Sequence, residues 1–190
     1  PGTQGPNGRV QLDGVPKAEW PNKRCIMGNQ TDMEKPILSP TTKRRFVIQG
    51  YSCYSDKELN DYKYGIRFAY YLCDSFVVVG LLLTNLWILA IAMSIAFFGW
   101  LLPKHPFDYL YNYVVRRIID KPEIPPRTNQ VRFACGIAAS WLGVIILLFL
   151  YNLPVWGYVA GAILVSVATL VATTDICIPS MIYNALFTKR

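Results

Sequence analysis

Asp74 is the residue whose chemistry stands out. It is the only ionisable charge between positions 68 and 103, inside a run that is otherwise almost wholly apolar. A carboxylate about two turns into an apolar helix is costly unless it is paired or functional. Arg67, Tyr70 and Tyr71 stand seven, four and three residues before it, on the same helix face. Asp74, Arg67 and Tyr70 therefore form a candidate intramembrane polar site. A proton path needs a chain of such groups, and no other apolar run offers a deep acidic, basic or histidine partner. The expectation is a structural Asp, hydrogen-bonded within a bundle or to a neighbouring subunit. A small transporter or redox-linked membrane protein using Asp74 is the alternative.

His105 is the sole histidine, with Asp108 three residues on. One His and one Asp do not make a zinc site, which needs three or four ligands. A polar residue at the entry of a surface helix is the plainer reading. The five cysteines, Cys25, Cys53, Cys73, Cys135 and Cys177, include no C-x-x-C pair. Their spacing matches no disulfide framework or metal site, and small apolar packing residues are expected. Cys177 with Ser180 is at most a degenerate redox pair, since no cation or His stands near it in sequence. Asp175 suits a local cap there. No catalytic, cofactor-binding or metal arrangement is expected, so the chain is read as a non-enzyme.

The elements that would hold these residues are membrane helices. Of 190 residues, 53% are hydrophobic and 16% charged, against roughly a quarter charged in soluble domains. Asp175 is the only charge between positions 133 and 188. Positions 68–83 and 86–102 are two apolar runs parted by Thr84-Asn85, the first helix starting near Tyr64. Positions 133–151 and 155–173 are two more, parted by Asn152-Leu153-Pro154. Each run suits a span of about 20 residues. Between the pairs, Phe107, Leu110, Tyr111, Val114 and Ile118 recur at helical spacing behind Pro106. Asp108, Asn112, Arg116 and Arg117 fall largely on the other side, so this reads as an amphipathic surface helix ending near Asp120.

Positions 1–65 are a polar, largely irregular extension rich in Pro and Gly, with 1–20 as an extended tail. Phe46-Val47-Ile48 reads as a brief strand or interfacial contact, and Ser55 with Glu58 as the cap of a short helix. The chain begins with Pro1 rather than Met, which leaves room for an upstream targeting segment.

Positions 66–190 form the transmembrane domain, and a repeat runs through it. Arg67-Phe68-Ala69 opens the first hairpin and Arg132-Phe133-Ala134 the second. After each comes a proline and then an apolar-Tyr-Asn triplet, Leu110-Tyr111-Asn112 and Ile182-Tyr183-Asn184. Repeat 1 is 66–120 and repeat 2 is 131–187. The predicted fold class is all-α integral membrane: four transmembrane helices as two parallel-repeat hairpins, each followed by an amphipathic surface helix.

The basic residues before the first span, in the central loop and at Lys189-Arg190 all fall on one side of such a bundle. Both turns, on the other side, are uncharged. The positive-inside rule then puts both termini on the cytoplasmic or matrix side. Trp87 and Trp156 near the turns, and Trp100 near the inner face, suit interfacial anchors. Lys104, Arg116, Arg117, Lys121, Arg127 and Arg132, interleaved with tyrosines, are candidates for binding anionic lipid such as cardiolipin. The net charge of +7 flanks apolar runs rather than forming a nucleic-acid footprint, so no nucleic acid is expected.

The strings His105-Pro106-Phe107-Asp108-Tyr109-Leu110-Tyr111-Asn112, Arg132-Phe133-Ala134-Cys135 and Asp175-Ile176-Cys177-Ile178-Pro179-Ser180 resemble the membrane-protein family catalogued as domain of unknown function 4395. The resemblance covers about 66–187 and implies four spans, with no established activity. Many members look to carry Phe-Cys-Ile-Gly-Cys where this chain has Ile176-Cys177-Ile178-Pro179-Ser180. The second cysteine is thus replaced by Ser180, which removes any dithiol role from this site.

The functional expectation is a non-catalytic accessory subunit of a larger membrane complex, an energy-converting respiratory or ATP synthase assembly. A polar Pro/Gly-rich extension does not order alone, so contacts with other subunits are expected to hold it. The mitochondrial inner membrane is the favoured compartment, with a bacterial inner membrane or thylakoid as the alternative.

Overall fold

The structure is a computed structural model in which residues 38–119 and 121–187 are described. The expected 1–20 tail, Cys25, the helix end at Asp120 and Lys189-Arg190 lie outside the described residues.

All described elements are helical. Pro40 at the first turn starts α1 (Pro40–Ile48), which buries Phe46. The strand or interfacial contact expected at Phe46-Val47-Ile48 is therefore replaced by helix, since burying one aromatic face needs no alternation. Ser55 caps α2 (Asp56–Leu82) in a full capping box with Glu58. That short helix and the first apolar run are one continuous 27-residue element.

Thr84 takes a left-handed φ of 47°, and Asn85 accepts from the backbone N–H of Trp87 and Ile88 to open α3 (Leu86–Leu101). In the other hairpin Asn152 takes a φ of 57° between α6 (Asn129–Leu150) and α7 (Pro154–Thr174). Asn adopts this left-handed conformation more cheaply than most residues, whereas in the first turn Thr84 adopts it and Asn85 serves as the cap.

α2, α6 and α7 are each long and apolar enough to cross a membrane. α3 has 16 residues, about 24 Å of helix against a hydrocarbon core of about 30 Å. It counts toward a fourth span when joined to 106–119, from which it is bent by 85°.

The expected surface helix is three short pieces: α4 (Pro106–Leu110), a π-helical turn (Tyr111–Val115) and α5 (Arg116–Ile119). The π turn inserts extra backbone and shifts the faces that a constant helical period predicts. Tyr111 is buried, and Leu110, Val114 and Ile118 are exposed. Asp108, expected on the polar side, is buried. A last helix, α8 (Ile178–Phe187), follows α7, near the 179–187 expected for it.

The four long helices form a ring in the order α2, α3, α6, α7, each packing on its two neighbours. α4 returns onto α2, and α8 returns onto α6. Two apolar cores result. One, around Val77, Leu89, Leu142 and Ile145, lies between the long helices. The other, around Phe46, Tyr51, Ile66, Tyr111 and Ile124, lies at the end bearing α1 and the 121–128 link.

Candidate functional site

The link 121–128 carries Arg127 into the interior, where its side chain is 2% exposed. Nε donates to Asp108 Oδ2 at 2.7 Å, and Nη2 donates to Oδ1, so the pair is bidentate. The guanidinium lies 5.2 Å from the Tyr70 ring centroid. The Arg127 backbone N–H donates to the Pro103 carbonyl at 2.8 Å, tying the link to the end of α3. Burial disfavours the Asp108 carboxylate. The Arg127 charge and hydrogen bonds outweigh this and hold it below the usual carboxylate range.

His105 caps α4. Its Nδ1 accepts from Phe107 N–H at 3.3 Å, and its own N–H donates to Asp108 Oδ2 at 3.1 Å. Its Nε2 stands 3.7 Å from Cys73 Sγ. The ring presses on bare backbone, since a Cβ on Gly99 would come within 2.3 Å of His105 Cδ2. Burial first, then the Arg127 charge, push its pKa down to about 4 against the pull of Asp108. His105 is thus a neutral, buried cap rather than a polar residue at a surface.

Cys177 and Ser180 occupy the corresponding place before α8. Ser180 Oγ donates to Cys177 Sγ at 3.0 Å, with both residues buried, and burial pushes the Cys177 thiol up. Counting back from each Tyr-Asn pair, Cys177 matches His105 and Ser180 matches Asp108. One site is charged and the other is neutral.

Asp74 does not meet Arg67. Its Oδ2 accepts from Thr169 Oγ1 at 2.8 Å, linking α2 to α7, while Oδ1 is buried without a partner. Arg67 instead reaches the end of α7. Nε donates to Asp175 Oδ1 at 2.9 Å, and Nη2 donates to Asp175 Oδ2 at 2.7 Å and to the Thr173 carbonyl at 2.9 Å. Asp175 holds a left-handed φ of 59° there. Its carbonyl accepts from Gln49 Nε2 at 2.8 Å, and the Thr174 carbonyl accepts from Arg45, docking α1 on the same helix end. Arg132 does for α3 what Arg67 does for α7: Nε and Nη2 donate to the Trp100 and Leu101 carbonyls at 3.0 and 2.8 Å. The predicted polar triad thus divides: Arg67 at a helix terminus, Asp74 on Thr169, and Tyr70 beneath Arg127.

The predicted basic rim also divides. Arg127 is turned inward and is no headgroup ligand in this conformation. Lys104 and Arg116 share Glu123, at 2.5 and 3.3 Å, and Lys121 pairs with Asp61 at 3.0 Å. Arg132 is engaged with α3 as above. Cys73, Cys135 and Cys177 are free thiols. Cys53 is disulfide-bonded, so the apolar-packing expectation does not extend to it.

A cavity of about 310 Å³ lies between the four long helices, and Tyr70, Cys73, His105, Arg127, Cys135 and Cys177 share its wall. Sequence reasoning missed this gathering. Its one signal was the order of the repeat, which places His105 and Cys177 at matching entries to α4 and α8.

No curated protein and no solved structure matches the chain. A family profile described as a domain of unknown function, DUF4395, matches residues 63–188. That is most of the chain and contains every residue of the cavity wall named above. The N-terminal segment lies outside the match, and the chain belongs to the DUF4395 family, with an N-terminal extension.

Proposed function

We propose that this protein is a non-catalytic accessory subunit of a larger membrane complex, anchored by four spans arranged as two like-oriented hairpins. The observation that carries the reading lies outside the long helices. The short helical segments after each hairpin expose large apolar side chains: Tyr113 at 67% and Ile118 at 78%, Leu186 at 68% and Phe187 at 63%. Apolar surface at a membrane edge suits contact with neighbouring subunits or the headgroup boundary.

The repeat is supported by parallel roles in the two halves. Arg67 and Arg132 each bond the end of a helix from the other hairpin, and α4 and α8 each return onto the long helix that opens their own repeat. The buried charges hold elements together: Asp108 with Arg127, and Asp175 with Arg67.

The proposed host is an energy-converting assembly, respiratory or ATP synthase, in the mitochondrial inner membrane, with a bacterial inner membrane or thylakoid as the alternative. Cardiolipin or another anionic lipid would meet Arg116, Arg117, Lys104, Lys121 and Arg132 at the basic edge. The distribution of basic residues favours the cytoplasmic or matrix side for the termini.

A second reading, a small transporter or redox-linked protein using Asp74, is favoured by one observation. Asp74 lines the central cavity and has a buried oxygen without a partner.

The test is a native gel of mildly solubilised membranes, with the protein's band identified by mass spectrometry. Migration with a large complex is expected. Migration as a monomer or small homo-oligomer would overturn the subunit reading and leave transport assays on Asp74→Asn as the next step.

A further inference from the structure

The central cavity is apolar apart from Asp74, which Thr169 holds, and one polar corner. At the corner, Arg127 Nη1 is buried and bonded to nothing, as is the Tyr70 hydroxyl. Leaving a guanidinium N–H unpaired in an apolar site is expensive, so this corner suits a hydrogen-bond acceptor. The acceptor should be uncharged. Asp108 engages the other side of the guanidinium with both oxygens, so the pair is already neutral. A carboxylate entering the site would bring an uncompensated charge into a low dielectric.

The rest of the cavity describes the body of the ligand. Ile163, Leu164 and Val167 of α7 face it, with Ala138 and Leu142 of α6. Its size falls in the range of small-molecule sites. Ile137, Ile163 and Ile182 line the cavity and are also 36%, 49% and 45% exposed. The route in is therefore apolar and comes from the hydrocarbon. Phe76 and Phe107, with ring centroids 5.8 Å apart, stand on its wall beside His105 and offer aromatic faces to a planar head.

We propose that this cavity binds an uncharged, membrane-soluble carbonyl compound, with a carbonyl oxygen accepting from Arg127 Nη1 and an apolar body lying between α6 and α7. A quinone ring and an uncharged acyl ester share this chemistry. The site does not depend on the accessory-subunit reading, because binding is a property of the chain itself.

The experiment uses the full chain in phosphatidylcholine nanodiscs. A short-tailed benzoquinone is titrated against tryptophan fluorescence, since Trp141 lines the cavity. A monoacylglycerol and the matching fatty acid serve as competitors. Saturable quenching that disappears in Trp141→Phe is expected, with affinity at least tenfold weaker in Ala138→Leu and no fall in the thermal midpoint. Ala168→Leu, which fills the same space from α7, replaces it if Ala138→Leu does not fold. Displacement by the monoacylglycerol, or its binding in place of the quinone, also supports the site and assigns its source to acyl lipid. No saturable signal with any of the three compounds would overturn the proposal. So would tighter binding of the fatty acid, or cavity-filling variants that bind as the parent does.

Discussion

The entries to α4 and α8 present one architectural problem with two chemical answers. Before α8, Ser180 donates to Cys177 and the corner is neutral. Before α4, His105 and Asp108 stand at the matching positions, and a buried carboxylate needs a counter-charge. The 121–128 link supplies it as Arg127, and repeat 2 has no described segment that enters its own corner in this way. The comparison teaches that the same place before a short helix can be closed by a thiol and a hydroxyl or by an ion pair. The thiol and hydroxyl are the cheaper solution, since they bury no charge.

The largest break in that comparison is Arg127→Ala. It strands Asp108 without its partner, and a loss of about 3–5 kcal/mol is expected for a broken buried pair. Chemical or thermal denaturation in detergent measures it. Ser180→Ala is the matched change in the other half and should lose only about 1 kcal/mol. Replacing both partners, Asp108→Leu with Arg127→Met, should recover most of the loss, since an apolar pair avoids the desolvation of both ions. Equal effects of Arg127→Ala and Ser180→Ala would erase the proposed difference between the halves.

Acid sharpens the same comparison. Because the His105 pKa is lowered to about 4 from its usual 6.5, the unfolded chain takes up that proton before the folded one does. The contribution of His105 is then full above about pH 6.5, falls as the pH drops toward 4, and levels off below it, a change of about 3 kcal/mol. His105→Asn keeps a capping side chain and should flatten the profile in this window. An unchanged slope in that variant would remove His105 as the cause.

Gly99→Ala tests the close approach of α3 to the His105 ring. With the added methyl within 2.3 Å of the ring, overpacking of about 1–3 kcal/mol is expected, read as a lowered thermal midpoint. Gly143→Ala is the control, because its nearest neighbour is Met93 Sδ at 3.7 Å, an ordinary contact. The smallest effect is expected at the helix ends. Arg132→Ala removes two backbone caps and should lose about 1 kcal/mol. Arg67→Ala removes one such cap and also the quarter-exposed partner of a buried Asp175, so it should lose the more of the two, about 1–3 kcal/mol.

The hairpins were legible because their turns combine a break in apolar runs with Asn at a left-handed or capping position. The Ser55–Glu58 cap was legible because its spacing is local. Asp108 and Arg127 were not. They lie 19 residues apart, and each alone reads as an ordinary surface charge. The π turn at Tyr111–Val115 also altered the helical phase that assigned Asp108 to a polar face. Asp74 stands out in the sequence by its cost, but the partner it uses, Thr169, is 95 residues away and carries no charge to flag it. Arg67 shares its helix face yet lies about 10 Å along the axis, nearer the end of α7.

The central claim is that both hairpins are built alike, each crossing the membrane twice. α3, with 16 residues and a bend of 85° into 106–119, is the helix that decides it. A single reactive tag at the Thr84-Asn85 turn, at Asn152, or in the 121–128 link, probed with an impermeant reagent from each face of the membrane, tests it most directly. The account predicts that both turns label from one face and the link from the other. A link that labels from the same face as the Thr84-Asn85 turn would make α3 a re-entrant segment and contradict the likeness of the two halves.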